Sequence, residues 1–104
     1  MKQAYFCAKV KNIKTSSEKA LELAKRMGFK LWIPSEKVSN YDYPNGALKC
    51  VKAIKKSKVI ICQTPIGRDC AWELGYAYAL GKKIYVIGNL EKDDWMTKIG
   101  IKYA

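Results

Sequence analysis

Two carboxylates four residues apart, Asp69 and Glu73, are the side chains of this sequence that most clearly indicate chemistry. Glu73 stands in the first turns of a predicted helix whose other residues are mostly apolar, among them Ala71, Trp72 and Leu74. A carboxylate among such neighbours loses hydration at a large cost unless it is paired or protonated, so such positions are enriched in catalytic roles. Glu73 is therefore the candidate nucleophile.

The spacing of Asp69 and Glu73 places both on one face of a helix, near its positive N-terminal end. One member of such a pair can stay ionised as a nucleophile while the other holds a proton for the leaving group, as in the cleavage of glycosidic bonds. Two structural alternatives stay open. Asp69 is also a good N-cap residue, and Glu73 can be an exposed glutamate, although position 77 carries no Lys or Arg to pair with it.

Short apolar runs at regular intervals predict the strands of a sheet that would position these carboxylates. The run at 58–63 is continuous and apolar, which is typical of a strand covered on both faces. The predicted strands are residues 3–8, 29–33, 58–63, 83–88 and, in the tail, 99–103.

The stretches between these strands predict helices. A first helix follows the capping residues 15–18 and ends at Gly28. A second has Ala47, Leu48, Val51 and Ile54 at helical spacing, with its lysines toward solvent. The third holds Glu73 and ends at Gly81, and a short helix is expected around Trp95. Residues 35–46 are rich in turn-forming types and predict a polar loop or lid.

Strands that alternate with helices throughout residues 1–104 predict an α/β fold in one domain. The expected architecture is a three-layer, doubly wound sheet of the flavodoxin or Rossmann type, with four or five mostly parallel strands. Ligands bind beyond the carboxyl ends of the strands in such folds, where residues 7–17, 34–46 and 63–73 should converge. The candidate substrate-binding residues of these segments are Cys7, Ala8, Lys9, Lys11, Ser16, Asp42, Gln63, Thr64, Gly67, Arg68 and Trp72.

The net charge of +11 raises the question of nucleic-acid binding. All basic residues except Arg26 and Arg68 are lysines, and they are spread over the chain, whereas base readout favours the forked guanidinium group. We therefore expect a solvated, lysine-rich surface that attracts small anionic nucleotides, and nucleic acid is an unlikely partner.

Four cysteines, Cys7, Cys50, Cys62 and Cys70, have neither CxxC spacing nor a histidine in the chain to accompany them. This pattern predicts reduced thiols in a cytoplasmic protein with no metal site and no cofactor. No apolar run approaches the roughly 20 residues of a membrane span, and the first residues lack the apolar core of a signal peptide.

Residues 72–82, Trp-Glu-Leu-Gly-Tyr-Ala-Tyr-Ala-Leu-Gly-Lys, lie between two apolar strands. This pattern resembles the nucleoside 2-deoxyribosyltransferase family and its relatives, the 2′-deoxynucleoside 5′-monophosphate N-glycosidases. The similarity is close over residues 58–88. In the first strand, Tyr5-Phe-Cys-Ala8 resembles the family's Tyr-Leu-Ala-Gly.

The resemblance implies that Glu73 attacks C1′ of a deoxyribose, expels the base and forms a covalent glycosyl intermediate. Water or a second base then accepts the sugar. It also implies that Tyr5 positions the nucleophile, although a buried core tyrosine would fit the same strand. The family's assembly implies a homodimer or larger homo-oligomer in which a neighbouring subunit completes the site.

The sequence departs from the family in two places. The transferases show Asp-x-Gly-Thr before the Trp-Glu pair, whereas this chain has Gly67-Arg-Asp-Cys70, so Asp69 or Asp42 would have to protonate the leaving base. The glycine- and arginine-rich phosphate loop of the monophosphate hydrolases is also missing. A phosphate could instead be held by Lys9, Lys11, Lys14, Ser16 and Ser17, or these could be ordinary solvated and capping residues.

The function predicted from the sequence is cleavage of the N-glycosidic bond of 2′-deoxynucleosides or their 5′-monophosphates. Because the usual acid is missing, a nucleotide-binding module without chemistry is one alternative. A basic domain that binds single-stranded nucleic acid is the other.

Overall fold

Each apolar run predicted as a strand forms one in the computed structural model, which describes residues 2–9, 13–38, 43–99 and 101–103. The strands are β1 (Lys2–Cys7), β2 (Phe29–Trp32), β3 (Val59–Gln63), β4 (Lys83–Ile87) and β5 (Ile101–Tyr103). They form one sheet in the order β2-β1-β3-β4-β5, and all four neighbouring pairs are parallel. This is the strand order of flavodoxin-like doubly wound sheets, so the predicted fold class is confirmed.

The helices agree with the predicted order but differ at several ends. They are α1 (Ile13–Met27), α2 (Pro34–Lys37), α3 (Asn45–Lys56) and α4 (Arg68–Ala79), followed by a 3-10 turn, Lys92–Asp94. Because α1 already begins at Ile13, residues 15–18 lie inside it and do not precede it as caps. The single turn of α2 lies in the predicted polar loop, and the 3-10 turn ends just before Trp95, where a short helix was expected.

The side chains of β1 alternate between the two faces of the sheet, as in any strand. Ala4 and Phe6 pack with Ala20 and Ala24 of α1, together with Val59 and Ile61 of β3. On the opposite face, Tyr5 and Cys7 pack with residues of α3 and α4. The sheet is therefore covered by α1 on one side and by α3 and α4 on the other.

Helix α3 contacts the core chiefly through its C-terminal half. Ala53 and Ile54 are buried there, and the lysines of the helix are exposed as predicted. Ala47 and Leu48, two of the four apolar positions at helical spacing, are nevertheless exposed, Leu48 to 54%. The N-terminal half of α3 thus presents apolar surface outward.

None of the helices described, from α1 to the 3-10 turn, has the length and apolar character needed to cross a bilayer.

Candidate active site

The carboxyl ends of β1 and β3 meet the N-terminal end of α4. β1 ends at Cys7 and β3 at Gln63, and these strands are direct neighbours in the sheet, with Cys7 paired to Cys62. Residues 64–67 connect β3 to α4, whose N-cap is Gly67. This connection carries the side chains of the first two turns of α4 over the end of β1.

Glu73 points from the second turn of α4 back to β1. The hydroxyl of Tyr5 donates a hydrogen bond to Glu73 Oε2, and the sulfur of Cys7 lies 3.5 Å from Oε1. Since both oxygens have partners on β1, the carboxylate is held in one orientation. The alternative of an exposed glutamate on a solvated helix face is therefore wrong.

The environment of Glu73 makes it a weaker acid than a glutamate in water. Burial is the largest influence and raises the pKa of Glu73, and the nearby charge of Asp69 acts in the same direction. The hydrogen bonds from Tyr5 and Cys7 oppose this rise, because they favour the ionised form. The site thus contains a half-buried carboxylate with donors that stabilise its anion.

Tyr5 is fully buried, and its ring stacks on Trp32, the residue beside it on β2, at a centroid distance of 5.4 Å. Burial, followed by the charge of Glu73, raises the pKa of Tyr5 far above its ordinary value, so the phenol stays protonated and acts as a donor. The two interpretations of Tyr5 are compatible, because its ring belongs to the core while its hydroxyl reaches Glu73.

Sequence reasoning missed Cys70 and Cys50 as neighbours of this carboxylate. The ligand atoms of Cys7, Cys70 and Glu73 all lie within 4.8 Å of one another. Cys50, on α3, lies close enough to Tyr5 for each residue to influence the pKa of the other. The one available signal was the spacing of Cys70 and Glu73, which are three apart and so share a helix face.

All four cysteines are free thiols. The sulfur of Cys7 lies 3.7 Å from the carbonyl oxygen of Cys70 as well as near Glu73, so its single S–H is shared between two acceptors. The pKa of Cys7 is raised by hydrogen bonds with Cys62 and Cys70 and by burial. Hydrogen bonding with Cys7 lowers the pKa of Cys70, against the effect of its burial.

Several predicted binding residues come together around the start of α4. A Cβ atom added to Gly67 would lie 3.1 Å from Cγ of Lys9, so the lysine stem passes directly over this glycine. Thr64 donates to the carbonyl oxygen of Ile87 at 3.3 Å. Oε1 of Gln63 is buried and has no hydrogen-bond partner in the part of the chain described.

Gly88 makes the close approach of Thr64 possible. Its φ of +98° lies in the left-handed region, and a Cβ atom there would collide with the Thr64 hydroxyl. The loop after β3 is therefore held against the end of β4.

Other predicted residues lie at the rim or cannot be placed. Arg68 and Asp69 are exposed in the first turn of α4, and Ala8 is half-buried just after β1. Trp72 is 59% exposed and stacks on Tyr76 of the same helix at a centroid distance of 5.4 Å.

Asp69 does not cap α4, because the N-cap is Gly67 and the described residues provide no side-chain cap at this end of the helix. The predictions for Lys11 and Asp42 lie outside the described residues. Only the backbone of Ser16 is described, and it belongs to α1.

Comparison with known proteins links this geometry to a group of solved structures. The chain is similar to a 2-deoxyribosyltransferase from Leishmania mexicana, with a TM-score of 0.66 and 24% identity over 84% of this chain. It is similar to a 2-deoxyribosyltransferase from Bacillus psychrosaccharolyticus, with a TM-score of 0.72 and 19% identity over 98% of the chain. It is also similar to a CMP N-glycosidase from Clostridium botulinum, with a TM-score of 0.64 and 19% identity over 99% of the chain.

The chain spans 64% of the Leishmania enzyme and 85% and 87% of the other two. No protein-family model matches the sequence, and a search of curated proteins finds no significant relative. The resemblance stated from the sequence is therefore confirmed at the level of the fold: this chain has the fold of 2-deoxyribosyltransferases and of a CMP N-glycosidase.

Proposed function

We propose that this chain belongs to the nucleoside 2-deoxyribosyltransferase family and cleaves the N-glycosidic bond of 2′-deoxynucleosides or their 5′-monophosphates. One observation carries the proposal. Glu73 is a half-buried carboxylate at the carboxyl end of the sheet, and the hydroxyl of the buried Tyr5 donates to it. The similarity to solved enzymes of this kind supports the same reaction class.

In the proposed mechanism, an oxygen of Glu73 attacks C1′ of the deoxyribose. The bond between C1′ and the base nitrogen breaks, and its electron pair leaves with the base, which takes up a proton. The resulting ester between Glu73 and C1′ is then attacked by water, or by the nitrogen of a second base, and the carboxylate is regenerated. The reaction needs no cofactor.

The surroundings of Glu73 suit both halves of this cycle. The raised pKa of Glu73 indicates a carboxylate that is partly removed from water and not strongly paired with a cation. A fully solvated or strongly paired carboxylate would be a poorer nucleophile. The Tyr5 hydroxyl fixes Oε2 and stabilises the anion that must be present before attack and after hydrolysis.

Asp69 is the proposed acid for the leaving base. It lies one turn before Glu73 on α4, at the exposed rim, and its charge raises the pKa of Glu73. Gly67, which stands where the transferases have their acid, cannot take this role.

The substrate would lie across the start of α4. The Lys9 stem passes over Gly67, so its ammonium group can meet a 5′-phosphate near the backbone donors at this helix end. Gln63, whose carbonyl oxygen has no hydrogen-bond partner among the described residues, can accept a hydrogen bond from the base or sugar. Trp72 offers an exposed ring for stacking.

A homodimer in the cytoplasm is part of the proposal. Leu48 on α3 has an exposed apolar side chain, and α3 covers the same face of the sheet as α4. Tyr43, just before α3, is 83% exposed. Burial of this surface against a second copy would remove it from water, and Leu48→Asp should then shift the sedimentation of the protein toward the monomer.

The test is direct. The protein is incubated with pooled deoxynucleosides and their 5′-monophosphates, with and without a second free base, and the products are separated by chromatography. We expect release of free base, with loss of about 10³-fold or more in the Glu73→Gln variant, which should keep its fold and its ligand binding. Intact mass should show the deoxyribosyl ester on Glu73 when turnover is stopped rapidly.

Two results would favour the other candidate functions. Thermal stabilisation by nucleotides without any base release would indicate a binding module, as the missing acid motif suggests. Steeply salt-dependent affinity for single-stranded oligonucleotides, unchanged by Glu73→Gln, would indicate a nucleic-acid-binding domain instead.

A further inference from the structure

Two thiols and a carboxylate converge at the end of β1. Cys7 is 1% exposed and Cys70 is 3% exposed, and the atoms through which they and Glu73 could bind a metal all lie within 4.8 Å of one another. We propose that Cys7, Cys70 and Glu73 form a binding site for a thiophilic divalent cation, with Zn²⁺ as the representative ion.

The distances suit a tetrahedral ion. With a Zn–S bond of about 2.3 Å and a Zn–O bond of about 2.0 Å, sulfur and oxygen ligands at tetrahedral angles are about 3.5 Å apart. Cys7 Sγ and Glu73 Oε1 are 3.5 Å apart. The third ligand, Cys70, is three residues from Glu73 on α4, so it approaches from the same helix face.

The surroundings of the three ligands favour a bound cation. The Tyr5 hydroxyl holds Oε2 of Glu73, which leaves Oε1 to the metal and gives the carboxylate an outer-shell partner. Cys70 lies in the first turn of α4, where the helix end stabilises a thiolate. Three protein ligands leave one position of a tetrahedral ion for a further ligand.

Binding would release protons in a balanced exchange. Zn²⁺ forms one bond to each sulfur and one to the carboxylate oxygen, and the two thiols each give a proton to solvent. Two sulfur ligands select zinc, cadmium and similar ions over magnesium and calcium, which prefer oxygen. Affinity should therefore rise with pH, because the thiols must ionise.

A metal held by Glu73 would block the nucleophile. This consequence, unlike the metal site itself, rests on the proposed function: the carboxylate cannot attack C1′ while it is bound to zinc. The site would then make the enzyme sensitive to free zinc, and removal of the ion by a chelator would restore turnover.

The experiment measures binding on the whole chain, reduced and freed of metal. Zn²⁺ is titrated in competition with a coloured zinc indicator, and we expect one ion per chain. Cys7→Ser, Cys70→Ser and Glu73→Gln should each weaken binding at least about tenfold. Cys50→Ser is the matched control, because this half-buried thiol lies near Tyr5 but outside the cluster, and it should bind zinc as the unchanged protein does.

A second measurement does not depend on the variants folding. Cd²⁺ added to the unchanged protein should produce the ultraviolet absorption of thiolate-to-cadmium charge transfer, with the intensity of two thiolates per ion, and Mg²⁺ should not compete. Absence of this absorption, or zinc affinity unaffected by both serine variants, would overturn the proposal. Because neither readout uses turnover, a chain that binds zinc but releases no base would refute the proposed function and leave the metal site standing.

Discussion

The two faces of the sheet differ in what they carry, although the same strands build both. Toward α1, β1 and β3 present Ala4, Phe6, Val59 and Ile61, all apolar and all buried. Toward α3 and α4, the alternate residues of the same strands include Tyr5, Cys7 and Cys62.

Within β1, the residues that face α1 contribute mainly to stability, and those that face α4 contribute to the candidate site. The α1 face buries large apolar side chains such as Phe6 and Ile61, so its contribution to stability is mainly hydrophobic. The α4 face contains a phenol, thiols and a half-buried carboxylate. Burial of such polar groups lowers stability, and proteins keep them where a reaction requires them. Adjacent residues of β1 should therefore respond to substitution in different ways.

The largest effect on stability is expected for Phe6→Ala on the α1 face. Phe6 is fully buried, and truncation of a buried phenylalanine removes about 3–5 kcal/mol from the free energy of unfolding. Urea unfolding followed by circular dichroism measures this loss, and Phe6→Leu serves as a milder variant if the alanine protein does not fold. Turnover per folded molecule should stay close to that of the unchanged protein. A loss below about 1 kcal/mol would contradict the division between the two faces.

Asp69→Asn should lower turnover and leave the free energy of unfolding nearly unchanged, the reverse of what is expected for Phe6→Ala. Asp69 is exposed, so its replacement should change the free energy of unfolding by less than about 1 kcal/mol, through the lost interaction with the helix dipole. If Asp69 supplies the proton to the leaving base, turnover should fall about 10²-fold, measured as free base released. Glu22→Gln is the matched control: it neutralises an exposed carboxylate on α1, beyond the other face, and should leave turnover unchanged. Equal turnover in both variants would remove Asp69 from the mechanism.

Tyr5→Phe tests the residue next to Phe6 on the functional face. The ring can still stack on Trp32, but Glu73 loses its hydroxyl donor, so we expect a fall in turnover of about 10- to 100-fold. The hydrogen bond from Tyr5 lowers the pKa of Glu73, so its loss should also move the acidic limb of the rate profile to higher pH. An unshifted pH profile would mean that Tyr5 acts through packing alone.

The smallest expected effect is a pH-dependent gain in stability from Glu73→Gln. Burial raises the pKa of Glu73 in the folded chain above its unfolded value of about 4.3, so the folded state binds the proton more tightly. As pH rises from the unfolded to the folded pKa, the unchanged protein loses stability relative to the variant, by about 1.4 kcal/mol for each unit between the two values. Urea unfolding of both proteins at several pH values measures this gap. A gap that narrows as pH rises would show that Glu73 is not destabilised by burial.

Much of the fold and the identity of the candidate nucleophile could be predicted from the sequence. The apolar runs around residues 59–63 and 83–87 and the helical spacing between strands are local patterns, and they predicted a parallel α/β sheet because strands covered on both faces must be apolar throughout. The position of Glu73 as a lone glutamate among apolar residues near the start of a helix likewise indicated that it is the candidate nucleophile. The ends of elements were less predictable, since helix capping at residues 15–18 and the outward face of Leu48 depend on which neighbours are present.

Only the tertiary structure decided what surrounds the carboxylate. Tyr5 and Glu73 are 68 residues apart in the chain, and Cys7 and Cys70 are 63 apart, so no local pattern joins them. The order β2-β1-β3 sets β1 beside the strand that leads into α4, and the pleat of β1 turns Tyr5 and Cys7 to the side on which that helix packs. Sequence spacing alone gave the cysteines no reason to be grouped, whereas strand order and pleat bring two of them to the nucleophile.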